Sequence, residues 1–154
     1  MATYAADYVA GRSMALGGNI LRIERTLDFA EIASYRASAG LTALASSDVY
    51  QIFDIAAKTH VLMVGYDVTT AEGATATMHI GDGSDADGFL AAVNLNSVGS
   101  GVSSLALTEG APNTITGYSN GKYYSAADTI DLTLNHNSID VAVVRVWALV
   151  VEVA

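Results

Sequence analysis

Three carboxylates share one short loop: Asp82, Asp85 and Asp87 in Gly81-Asp82-Gly83-Ser84-Asp85-Ala86-Asp87-Gly88. Calcium needs several oxygens converging from a tight, glycine-permitted turn. Aligned on Gly88 as the glycine of an EF-hand loop, the run places Gly83 first and Asn94 last, where carboxylates are required. The loop therefore reads as an exposed turn in which Asp and Gly tolerate unusual backbone angles. Calcium bound by Asp82, Asp85 and Asp87 in a non-EF manner is the alternative. His60, His79 and His136 are not two or four residues apart, so no strand or helix offers zinc a preformed pair. No metal is expected. Gly99-Ser100-Gly101 is not a nucleophile elbow, and no Walker A or dinucleotide loop is present. With no defensible acid/base pair or nucleophile constellation, the chain is expected to be no enzyme and to need no cofactor. Tyr118, Tyr123 and Tyr124 surround Ser119-Asn120-Gly121, with Asp128 close by. Such aromatics either stack on a sugar or pack in a core and an interface.

The elements that would carry these residues are strands. Leu21, Ile23, Arg25 and Leu27 alternate with Ile20, Arg22, Glu24 and Thr26, which predicts a strand with charge on both faces, at a sheet edge. Asp28 with Glu31 has capping-box spacing and predicts a short helix near 29–38, ended by Gly40. From Asp48 onward short β-patterned runs follow at 49–55, 60–70, 75–80, 89–96 and 102–108, with a turn at Gly99–Gly101 and another at Pro112. Asn120-Gly121 predicts a hairpin between 115–118 and 122–124. In Thr129–Leu134, Ile130, Leu132 and Leu134 face in while Thr129, Asp131 and Thr133 face out. In Val141–Val153 both faces are apolar, Val144, Val146, Ala148 and Val150 on one and Val143, Trp147, Leu149 and Val151 on the other. Such a strand is buried twice, by its own core and by something else. About eight short strands at regular spacing imply an all-β, antiparallel β-sandwich or jelly roll. Residues 1–47 are expected to form an N-terminal arm, the edge strand and an Ala/Ser-rich connector, and residues 48–154 the jelly-roll sandwich.

The chain has 154 residues and no cysteine, which excludes disulfides, thiolate zinc sites and cysteine nucleophiles. Charged residues are 15% of the total, against about 25% in an average soluble domain. Apolar residues reach 51%, yet no unbroken apolar run approaches the ~18 residues of a spanning helix. No membrane partner is expected. The composition instead predicts a homo-oligomer, because lasting subunit interfaces are apolar and poor in charge. Val144, Val146, Trp147 and Val150 are the candidate interface residues. Net charge is −9. Residues 1–47 are neutral, while 48–154 set Lys58, Lys122 and Arg145 against twelve acids. That acidic body repels phosphate backbones and argues against nucleic acid. The first 18 residues do not show the pattern of a secretory signal.

Several stretches resemble small virion proteins encoded beside the capsid genes of tailed bacteriophages. They are Asp48-Val49-Tyr50-Gln51-Ile52, Val68-Thr69-Thr70-Ala71-Glu72-Gly73-Ala74-Thr75-Ala76-Thr77, Gly81-Asp82-Gly83 with Asp85-x-Asp87-Gly88-Phe89, Gly121-Lys122-Tyr123-Tyr124-Ser125-Ala126-Ala127-Asp128-Thr129-Ile130 and the Val-rich C-terminal strand. Ala56-Ala57 departs from it, standing where a proline is expected. The resemblance implies a capsid decoration or cement protein, often a jelly-roll trimer, set on the capsid outer surface with the major capsid protein as partner. The neutral N-terminal segment is then the candidate shell-facing part. Arg12, Arg22, Arg25 and Arg36 would pair with capsid carboxylates, or else be solvated surface charges. A head-fibre or adhesion module that binds host glycan through the tyrosine-rich hairpin is the alternative function.

Overall fold

Strand β1 spans Leu21–Asp28 and runs directly into helix α1, Phe29–Ser38. Then come β2 (Val49–Ile55), β3 (Thr59–Thr70), β4 (Thr77–Gly81), β5 (Leu90–Asn94), β6 (Gly99–Val102), β7 (Lys122–Tyr124), β8 (Asp128–Leu134) and β9 (Val143–Glu152). The computed structural model describes residues 20–73, 75–103, 117–118, 121–135 and 139–153. The expected arm at 1–18, the Pro112 turn, the 102–108 strand beyond residue 103, Ile115 and Asn120 of the hairpin, and His136 lie outside the described residues.

The strands pair antiparallel in two sheets. One has the order β1-β9-β3-β6, with β7 also on β3; the other is β2-β8-β4-β5. The partners reveal the winding. β1 pairs with β9, β2 with β8, β3 with β6 and β4 with β5. Early strands thus meet late strands in reverse order, a doubled ribbon rolled into two facing layers. That is jelly-roll winding, the all-β architecture the strand pattern implied. β1 is an edge strand, as its charges on both faces indicated, and it pairs with β9 along its whole length.

Alternation builds the core. Ile130, Leu132 and Leu134 of β8 and Val144, Val146 and Ala148 of β9 are fully buried, meeting Val61, Val64, Met78 and Ile80. Each of these side chains larger than alanine contributes roughly 1.5–3 kcal/mol of transfer free energy. Helix α1 begins where the cap spacing placed it. The Asp28 carboxylate accepts from the backbone N–H of Ala30 (3.0 Å) and Glu31 (3.1 Å), satisfying donors that the first turn leaves free. Phe29 then anchors the helix in the core.

Two expectations differ from the structure. Gly99–Gly101, read as a turn, is strand β6 on β3, with Gly101 opposite Tyr66. A side chain at 101 would collide with the Tyr66 ring, so the glycine serves close packing and not a bend. Asp131, read as facing outward, is 92% buried. It sits opposite Gly81, and the backbone of Asp85 and Ala86 folds so tightly over that glycine that no Cβ fits. The aspartate loop thus roofs this patch of sheet.

Candidate interaction surface

Residues opposite one another on antiparallel strands share a face. On the first sheet, Leu149 stands opposite Met63, Trp147 opposite Gly65 and Val151 opposite His60. Tyr123 adjoins His60, and Val102 adjoins Gly65. The outer face of this sheet therefore carries a continuous apolar band. Val102 (50%) and Tyr123 (49%) are half exposed, and Trp147, Leu149, Val151 and Met63 are partly exposed. Gly65 lets the Trp147 indole lie against the sheet, since a Cβ there would overlap it. The Arg22 guanidinium covers the ring at 5.2 Å. Ion pairs flank the band: Arg22 with Glu24 at 2.9 Å, and Arg145 with Asp67 at 2.8 and 3.0 Å. Among the described residues this face pairs its own charges within the chain. An apolar centre with a polar border is the anatomy of a protein interface.

The residues singled out from sequence fall in different places. Val144 and Val146 are fully buried in the chain's own core, and Val150 nearly so. Their burial is complete without a second subunit, because alternation turns them inward. Trp147, with odd-numbered neighbours, is the one of the four on the outer face. Arg22 belongs to the same face. Arg25 lies instead at the open seam between β1 and β2, beside Ile23, Gln51 and Asp54. Arg36, in the last turn of α1, donates from Nε to the Thr42 carbonyl at 2.7 Å. Arg12 is outside the described residues. The arginines do not form one patch.

The aspartate loop does not gather its carboxylates. Asp82 turns inward and its side chain is fully buried. It pairs with Lys122 and accepts from Tyr124 Oη (2.7 Å), Tyr118 Oη (2.9 Å) and the Ser84 N–H (2.9 Å). Burial pushes the Asp82 carboxyl up, but the bonds from Lys122, Tyr124, Ser84 and Tyr118 outweigh it and hold the group below its ordinary range. Burial and then Asp82 raise the Tyr124 phenol far above its ordinary value, so it remains a donor. The neighbouring Asp87 side chain raises the Asp85 carboxyl. Among the described residues, no three carboxylates and histidines stand close enough to hold a metal. The same cluster engages the hairpin tyrosines. Tyr118 packs edge-on against Phe89 (5.0 Å) and Tyr124 is buried, leaving Tyr123 as the exposed ring of the three.

Sequence reasoning passed over Glu72. Its buried carboxylate accepts from the N–H groups of Asp140 (3.1 Å), Val141 (3.0 Å) and Ala142 (2.8 Å), fixing the entry to β9. Nothing local marks it, because its partners are far along the chain.

No protein-family model and no curated protein matches the chain. Solved structures do. A chain of the cyanophage Pam1 capsid asymmetric unit superposes with a TM-score of 0.59 at 14% identity, covering 88% of this chain and 86% of that one. A chain of the capsid of Ralstonia phage GP4 gives 0.55 at 9% identity, covering 89% and 86%. A chain of the acid-stable capsid of Helicobacter pylori bacteriophage KHP30 gives 0.50 at 11% identity, covering 86% of each. The chain shares its fold with components of three phage capsids.

Proposed function

We propose that the chain is a structural protein of a bacteriophage virion, and more specifically a decoration or cement protein of a tailed-phage head. In this reading it binds the capsid outer surface as a homo-oligomer, a trimer, and bridges major capsid subunits. The observation that carries the reading is the extent of the fold likeness, which spans at least 86% of both chains in every comparison with the three capsids. The apolar outer face around Trp147 supports it, since it offers a surface for lasting protein contact in a chain poor in charge. Several weak contacts per oligomer add through effective concentration. A ligand that binds the assembled lattice and not its dissociated parts stabilises the lattice. Arg22, Arg25 and Arg36 are the proposed partners of capsid carboxylates.

The test is binding to heads that lack the protein. Purified chain is mixed with undecorated capsids, sedimented through a cushion and quantified in the pellet, and the capsids are then heated in a calorimeter. Saturable co-sedimentation and a higher melting temperature of the decorated heads are expected. A chain that stays in the supernatant at micromolar concentration overturns the decoration reading.

A further inference from the structure

Residues 82–88, between β4 and β5, form a roof over part of the second sheet. Its ends are tied down. At one end Asp82 is held by Lys122, Tyr118 and Tyr124. At the other, Phe89 donates its N–H to the Ile80 carbonyl at 3.0 Å, and the Gly88 carbonyl accepts from the Tyr118 N–H. Between the ends the roof is latched only to itself. The Asp85 carbonyl accepts from the N–H of Asp82 at 2.9 Å and from that of Gly88 at 3.1 Å, while the N–H groups of Ser84 and Asp85 turn back to the Asp82 carboxylate. Among the described residues, no hydrogen bond ties 84–87 to the strands beneath. Packing lays the backbone of Asp85 and Ala86 on Gly81. Asp131 lies beside that contact, opposite Gly81 on one side and Gln51 on the other. It is 92% buried, and one of its oxygens has no partner among the described residues. A buried, incompletely bonded carboxylate is costly, whereas a neutral carboxyl is tolerated there.

We infer that the roof is a pH-sensitive cover: with Asp131 neutral it lies closed on the sheet, and with Asp131 ionised its middle, residues 84–87, lifts and lets water reach Gln51, Asp131 and Gly81. The inference does not depend on the decoration reading. The charged and titratable groups around Asp131 are mostly acids. They are Asp128 on β8, His79 on β4, Asp82, Asp85 and Asp87 in the roof, and Asp54 on β2, whose seam also holds Arg25. Lys122 is engaged by Asp82. Burial pushes the Asp131 carboxyl up most; Thr129 opposes the rise, and Asp128 and then Asp82 add to it. Lifting the roof returns the group to an ordinary value near 3.9. The closed form thus binds the extra proton. Closure is fully favoured below that value, weakens by up to about tenfold per pH unit above it, and levels off once pH has passed through the closed-state value. Asp85, raised first by Asp87, acts in the same direction. Asp82, held below its ordinary range, keeps its end of the roof tied as pH rises.

Amide hydrogen exchange of the full chain, followed by NMR from pH 4 to pH 8 and corrected for the intrinsic pH dependence, reads the latch. Lifting 84–87 while the ends stay tied pulls the Asp85 carbonyl from the N–H groups of Asp82 and Gly88, so these two amides report opening. The Leu132 amide, in the middle of β8, reports global unfolding. Protection of the Asp82 and Gly88 amides should fall about tenfold between pH 4 and pH 7 in the parent. It should stay level in Asp131→Asn, which keeps the shape, cannot ionise and folds at least as stably. Asp85→Asn should retain most of the fall. A parent whose protection does not change with pH overturns the inference. So does a fall that survives in Asp131→Asn, which would assign it to His79 or the other acids, and one abolished in Asp85→Asn, which would assign it to Asp85 and Asp87. Protection equal to that of Leu132 at every pH also overturns it, because the roof then opens only with the whole fold.

Discussion

Substituting Asp82→Asn should destabilise the fold and flatten its acid response. The Asp82 side chain is fully buried, while that of Lys122 is 21% exposed. Asparagine keeps the size, removes the charge and leaves one oxygen to serve donors from Lys122, Tyr118, Tyr124 and the 84–85 backbone. Breaking a buried ion pair costs about 3–5 kcal/mol. Lys122 reaches some water, so about 2–3 kcal/mol is expected, or about 4–12 °C in melting temperature for a chain of this size. The pH sign follows from direction. Asp82 is held below its ordinary range, so its contribution is present above the unfolded value near 3.9 and is lost as pH falls through the folded value. Lys122 is raised, with burial opposing and the Asp82 bond prevailing, so the pair also weakens in strong alkali. Urea unfolding of parent and variant at pH 7 and pH 3 measures both effects. The gap should be wide at pH 7 and narrower at pH 3, by about 1 kcal/mol. Adding Lys122→Met to Asp82→Asn should return part of the loss, because the stranded ammonium is then gone. A gap below about 0.5 kcal/mol at pH 7, or one unchanged at pH 3, would refute the reasoning.

Other outcomes follow from the same structure. Gly65→Ala forces the indole of Trp147 off the sheet, so about 1–3 kcal/mol is lost and the emission of this single tryptophan moves to the red. Asp131→Asn should raise the melting temperature at pH 7. The Asp131 carboxyl is pushed up by burial and one of its oxygens has no partner among the described residues, so its ionised form destabilises as pH rises through the folded value. The gain should vanish near pH 3, which paired calorimetric scans would show. Leu149→Glu places a charge in the outer band without touching the core. Light scattering should then report a smaller particle with unchanged circular dichroism, whereas an unchanged assembly would move the subunit interface elsewhere.

What the chain declares about itself is local. The cap at Asp28, the alternation of β8 and the two-faced β9 are patterns of neighbours, and each element stands where its pattern put it. The face a residue uses was legible, yet which face meets a partner was not. Val144, Val146 and Val150 look like interface by hydrophobicity and are core by geometry. Strand β6 was hidden because Gly-Ser-Gly is written in turn residues, and only the Tyr66 ring across the ladder explains it. The aspartate loop carried a calcium-like spelling, but its meaning depends on Lys122, forty positions away. Glu72 was silent for the same reason. Long-range polar pairing has no period, so no window of sequence reports it.

The reversed pairing of strands also governs how the molecule is made. β1 leaves the ribosome well before its ladder partner, β9. The nascent chain must therefore hold β1 and the β9-facing edge of β3 unmatched until β9 emerges. Contacts this distant in sequence make for slow folding, on the order of milliseconds to seconds. Charge on both faces of β1 would keep that waiting edge from joining the wrong neighbour in a crowded cell.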